Sequence, residues 1–266
     1  AREERMSGEK GVETRERLDL GASARLIGLV AARELGAAID TKIATLAAIA
    51  YALLANALFM NEFFLAGVVD MEPFFAAQPL LLAFLLPALS MRLWAEEKKS
   101  RTVELLFTLP IRPLEAVLGK ALAALGLYGL FLACTRPIPV MLEVLGAPDR
   151  GAIVSGYLGL ALFGALLLAL GGLASALVRD QIVAFVTSAL AGVVLVVTGE
   201  ERVASVLDGL APALSAGTFL REHISALVPY QEFVRGAVRL SGLLYFGLFA
   251  GLALWGTALV LERDRA

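Results

Sequence analysis

The 266-residue chain has a single cysteine, Cys134, and a single histidine, His223. One cysteine excludes an internal disulfide, and one histidine cannot build a histidine-based metal cluster. Cys134 reads as a small packing residue within an apolar run. The net charge of −2 leaves no basic footprint for nucleic acid. Asp, Glu, Lys and Arg are missing altogether from five long runs, at 43–61, 73–91, 151–178, 181–199 and 240–261. Proton relays and ion-coupled carriers usually need ionisable groups at that depth. Any transport is therefore expected to draw its energy from outside this chain. Arg136 is the exception near an apolar run, and its charge is expected to snorkel outward.

Catalytic motifs are also missing. Gly119-Lys120 looks like the end of a phosphate-binding loop, but Leu114 stands where the first glycine belongs and Ala121 replaces the Ser or Thr. No G-x-S-x-G element occurs. Glu96-Glu97-Lys98-Lys99-Ser100-Arg101 fits E-E-x-x-x-R, which resembles a pattern of intramembrane proteases. Those enzymes add histidines on neighbouring spans to hold a metal or activate water, and His223 falls in a segment expected on the opposite side of the membrane.

What the chain has in excess is apolar residues, 59% against about 45–50% for a soluble domain. Mean hydropathy is +0.78. A span needs about 20 apolar residues. A sixth run, 121–135, becomes long enough if Pro113 opens the helix and Glu115 and Lys120 snorkel to the interface. The expected fold is thus all-α, a polytopic membrane protein with six spans at about 43–61, 73–93, 113–136, 151–178, 181–199 and 240–261. Residues 1–21 read as a disordered tail, crowded with charge of both signs and lacking a signal-peptide core. Residues 22–266 read as one transmembrane domain. Within it, 22–41 has an apolar face (Ile27, Val30, Leu35, Ile39) and a polar face (Arg25, Arg33, Glu34, Asp40). That pattern suits an interfacial amphipathic helix, with an extension of the first span into water as the alternative. Val203–Leu214 and Phe219–Val238 could each form a short helix, with Pro212 and Pro229 interrupting them, so short helices or a re-entrant element are expected at the outer surface.

Charge sets the orientation. With the N-terminus inside, Arg25, Arg33, Lys42, Arg92, Lys98, Lys99, Arg101, Arg112, Lys120, Arg179, Arg263 and Arg265 face inward, against Arg136, Arg150, Arg202, Arg221, Arg235 and Arg239 outside. The imbalance predicts both ends on the cytoplasmic side. The densest charge between apolar runs, 92–120, then lies inside. Glu96, Glu97 and Glu104 supply acids there, Lys98, Lys99 and Arg101 bases, and Val103, Leu105, Leu106 and Leu109 an apolar side. Pro110 and Pro113 end the segment.

The order of several motifs resembles the membrane subunit of ABC transporters of the ABC-2 type, in their gliding-motility permease branch. These are Pro87-Ala88-Leu89-Ser90-Met91-Arg92, Ala95-Glu96-Glu97-Lys98-Lys99, Thr102-Val103-Glu104-Leu105-Leu106, Leu109-Pro110 and Gly119-Lys120. Leu145-Gly146-Ala147-Pro148, Gly172-Leu173-Ala174-Ser175, Asp180 to Phe185, Phe233-Val234-Arg235-Gly236 and Leu261-Glu262-Arg263 continue the match over roughly 24–265. Arg179 beside Asp180 departs from the small polar–acidic pair usual at that hairpin.

The resemblance implies a permease in the bacterial inner membrane that pairs with a second permease subunit. It also implies a separate ABC ATPase subunit that binds ATP and Mg, leaving this chain without a cofactor. A cytoplasmic coupling helix at about Glu97 to Thr108 would meet that ATPase through Glu96, Glu97, Lys98, Arg101, Thr102, Glu104, Leu105, Leu106 and Pro110. An intramembrane hydrolase and a non-transporting scaffold of a motility or secretion machine are the other functions weighed.

Overall fold

Helix boundaries follow from a few capping residues. Asp149 accepts hydrogen bonds from the Gly151 and Ala152 N–H groups at 2.8 and 3.3 Å, and Asp180 does the same for Ile182 and Val183 at 2.8 and 3.2 Å. Each carboxylate satisfies N–H groups that a first turn leaves without partners. Pro113 opens another helix at a position where its missing N–H costs nothing. The Glu115 carboxylate reaches back to accept from the Arg112 N–H at 3.0 Å.

The computed structural model describes residues 21, 23–40, 42–67, 69–102, 112–210 and 215–265. These form α1 (Ser23–Asp40), α2 (Lys42–Ala66), α3 (Glu72–Ser90), α4 (Arg92–Ser100), α5 (Pro113–Ala133), α6 (Pro137–Leu145), α7 (Arg150–Leu177), α8 (Gln181–Val197), α9 (Glu201–Leu210), α10 (Ala216–His223), α11 (Leu227–Val234) and α12 (Leu240–Arg265). The expected tail lies outside the described residues but for Gly21.

Four helical stretches are long and apolar enough to cross a membrane: Glu72–Ser100, Pro113–Leu145, Arg150–Leu177 and Leu240–Arg263. Ser23–Asp40 with Thr45–Asn61, bent by 76°, and Gln181–Val197 with Glu201–Gly209, bent by 85°, raise the number to six if each pair is one span. The protein is therefore a helical membrane protein with four to six candidate spans.

Two boundaries differ from expectation. The third expected span, 113–136, runs on as a 33-residue stretch to Leu145. Pro137 does not stop it because proline falls at the first turn of α6, where no N–H is needed. Phe219–Val238 is two helices rather than one. They separate at Ser225, whose hydroxyl donates to Leu195 O at 3.2 Å and accepts from Leu227 N at 3.0 Å. Pro229 stands in the first turn of α11 and interrupts nothing. Pro212 lies outside the described residues.

Helix α7 is the axis of the bundle, packed against α3, α4, α5, α8, α11 and α12. Its glycines admit neighbouring side chains. A Cβ at Gly164 would meet the Tyr128 ring at 2.2 Å, and one at Gly171 would meet Ser90 Oγ at 1.9 Å. Small residues let helices approach where lipid offers no hydrophobic drive for association. The main core is aromatic, with Tyr51, Phe59, Phe74, Phe131, Phe163 and Phe233 all fully buried. A separate cluster of Trp94, Ala116, Val117, Ala176, Ala258 and Leu261 closes the end of the bundle where α4 sits.

Candidate functional site

The two prolines inside α3, Pro79 and Pro87, remove backbone donors from its ladder. The helix gives way at Met91, and α4 starts anew at Arg92. The Trp94 and Ala95 N–H groups, near the start of α4, find Ser175 of α7. Its Oγ accepts from both at 3.0 Å and donates to Met91 O at 2.9 Å. One hydroxyl therefore joins the break between α3 and α4 to the central helix.

A second tie comes from α5. Lys120 is 3% exposed. Its ammonium donates to Leu93 O at 2.7 Å and to Glu97 Oε1 at 2.6 Å, and it lies 4.6 Å from the centre of the Trp94 ring. The carbonyl, the carboxylate and the ring face share one buried cation. Among the described residues Glu97 Oε2 has no hydrogen-bond partner. Arg33 of α1, paired with Glu34 at 2.7 Å, adds positive charge toward Glu97. Lys98 donates to Ala176 O, a third bond from α4 to the end of α7. Helix α1 is tied in as well. Ser23 Oγ donates to Glu115 Oε1 at 2.5 Å, and Val30 lies against Gly119.

The residues expected to form a contact surface divide accordingly. Glu97 and Lys98 turn inward and hold α4 in place. Glu96, Arg101 and Thr102 are exposed. Helix α4 ends at Ser100, because Arg101 adopts a left-handed conformation (φ 58°). The expected helix Glu97 to Thr108 is thus interrupted at Arg101. Glu104, Leu105, Leu106 and Pro110 lie outside the described residues.

The E-E-x-x-x-R residues and His223 are not brought together. Glu97 is on α4, beside the C-terminal end of α7. His223 closes α10, at the other end of the bundle, with its ring stacked on Phe219 at 4.7 Å. Twenty-eight residues of α7 separate the two ends, about 42 Å at helical rise. Cys134, expected to pack, is instead exposed on the wall of an apolar groove with Leu127 and Leu130.

Sequence patterns place Ser175 only within the Gly172-Leu173-Ala174-Ser175 motif, give Trp94 no role, and present Lys120 as a snorkelling charge. The available signal is a lone hydroxyl, Ser175, in a run otherwise made of Gly, Leu and Ala. No model of a known protein family matches the chain, and no curated protein matches it.

Proposed function

We propose that this chain is the membrane-spanning permease subunit of an ATP-driven exporter of the ABC-2 type, close to the gliding-motility branch. In this reading it crosses the bacterial inner membrane six times with both ends cytoplasmic. It pairs with a second permease subunit and couples to a separate ATPase subunit that holds ATP and Mg. The segment from Glu96 to Pro110 is the contact through which force enters, with Glu96, Arg101 and Thr102 on the exposed side of the junction.

The observation that carries the reading is the fastening of α4. Ser175 and Lys120 tie the base of the charged segment to α7 and α5. A push on the exposed residues after Glu97 then reaches the axis of the bundle instead of being lost in a loop. A charged loop that served only topology would need no such buried bonds.

The test is stimulation of the ATPase chain that co-purifies with this subunit. Replacing Glu104 and Leu105 by alanine is expected to weaken assembly and abolish stimulation. Ser175→Ala is expected to leave assembly intact and lower stimulation, because the contact survives while its linkage to α7 is cut. Intact assembly and stimulation in the Glu104/Leu105 variant would refute the coupling role. A purified complex with no ATPase would favour a passive scaffold.

A further inference from the structure

Arg136 stands at the junction of α5 and α6, inside the apolar stretch Pro113–Leu145. Counting from Pro113, it lies about 35 Å along the helix, against a hydrocarbon core of about 30 Å. With Pro113 at one edge of the hydrocarbon, its guanidinium would reach headgroup depth on the far side from α4. At that end Arg150 pairs with Glu143 at 3.1 Å and Arg239 with Glu232 at 2.7 Å. Arg136 has no carboxylate partner among the described residues. It is exposed, and its charge is within electrostatic reach of the Tyr157 phenol. The Tyr157 hydroxyl is itself engaged with Thr135 Oγ1 at 2.9 Å.

Arg136 also borders a groove of about 440 Å³ between α5 and α7, with Gly129, Leu132 and Ala133 on one wall and Val154 and Tyr157 on the other. Its lining follows α5 from Gly129 to Arg136 and continues to Pro139 on α6. Apart from Arg136 and the phenol of Tyr157, these side chains are apolar. Gly129 leaves it open: a Cβ there would meet nothing within 4 Å. The groove on the neighbouring face of α5, about 480 Å³ and lined by Leu53, Leu127, Leu130 and Cys134, carries no charged residue. The feature particular to the Arg136 groove is a cation set in an otherwise apolar channel.

We propose that this groove binds a phospholipid of the far leaflet, its phosphate held by Arg136 and an acyl chain laid along Gly129, Leu132 and Val154. A guanidinium offers paired donors that match phosphate oxygens, and at headgroup depth a bound phosphate neutralises a charge that is otherwise unpaired. The channel takes the chain because its walls are apolar at the depth where acyl chains lie.

The test uses the full chain, with any subunits that co-purify, in detergent. Native mass spectrometry is used to follow titration with phosphatidylglycerol and, separately, with a diacylglycerol of the same chains. Phosphatidylglycerol is expected to give a retained one-lipid adduct and diacylglycerol none. Glycerol phosphate, which has the headgroup but no chains, is expected not to compete. Arg136→Gln should lower retention at least about tenfold, the scale of a lost charge-assisted hydrogen bond, and Arg136→Lys should restore part of it. Gly129→Leu should block the channel and abolish the adduct without lowering the melting temperature. Equal retention in wild type and Arg136→Gln would overturn the proposal. So would a diacylglycerol adduct as strong as that of phosphatidylglycerol, or full competition by glycerol phosphate.

Discussion

The Lys120 ammonium lies 2.6 Å from Glu97 Oε1, with side-chain exposures of 4% and 24%. This pair joins the first turns of α5 to α4 across 23 residues of sequence, and the lysine sits over Trp94 as it does so. It is the one place where the charged segment reaches into the bundle as an ion pair among the described residues. A buried pair is held together mainly by the cost of leaving either member alone.

Lys120→Met should therefore destabilise the protein by about 3 kcal/mol, because Glu97 is left as a partly buried carboxylate without its cation. Glu97→Gln should cost about as much, roughly 3 kcal/mol, because the more deeply buried ammonium of Lys120 loses its counter-charge. The double variant should cost less than the sum of the two. Melting of the purified protein, followed as a double-mutant cycle, checks this; strict additivity would mean that the two groups do not interact.

Gly164 and Tyr128 give a second prediction. The tyrosine ring fills the space a Cβ would take at Gly164, and its hydroxyl donates to Leu160 O at 2.9 Å. Gly164→Ala should force α5 and α7 apart and cost about 1–3 kcal/mol. At Gly251 of α12, by contrast, a Cβ would meet nothing within 4 Å. Gly251→Ala should then be neutral or stabilise by up to about 1 kcal/mol through helix propensity. Melting temperatures of the two variants decide the matter, and equal effects would argue against close α5–α7 packing.

The long apolar stretches were legible in the sequence because bilayer thickness sets their length. Pro113 marked the start of α5 for a local reason; the charge-free runs put the starts of α7 and α8 near 151 and 181, and the caps that fix them, Asp149 and Asp180, emerge only in the structure. The ends were less legible. Pro137 looks like a stop in sequence, but its place in a first turn depends on how α5 ends at Cys134. Ser225 divides α10 from α11 by bonding Leu195, 30 residues away. The candidate site was half visible. The charges of 96–101 stand out in an apolar chain, whereas their anchoring depends on Ser175, about 80 residues from the amides it accepts. No local pattern records such a pairing.

Asp208 supplies a pH prediction at the end of the bundle opposite α4, on α9, which turns 85° from the line of α8. Its carboxylate accepts from the Thr218 hydroxyl at 2.6 Å and from the Gly217 and Thr218 N–H groups at 2.7 and 3.2 Å. It thereby caps the start of α10. The bond from the Thr218 hydroxyl, with help from the two N–H groups, holds the Asp208 carboxyl below its ordinary value. An unfolded aspartate titrates at about 3.9. The folded group binds its proton less readily, so its contribution is complete above about pH 4 and is lost as the pH falls through the lower folded value. Exchange of the Gly217 and Thr218 amides, corrected for intrinsic rate, should therefore be slow at neutral pH and accelerate at a pH well below the ordinary aspartate range of about 3.9. Asp208→Ala should show fast exchange at both pH values, while the Asp180 cap of α8 stays unchanged. Protection that is the same in wild type and Asp208→Ala at neutral pH would show that the carboxylate does not hold this turn.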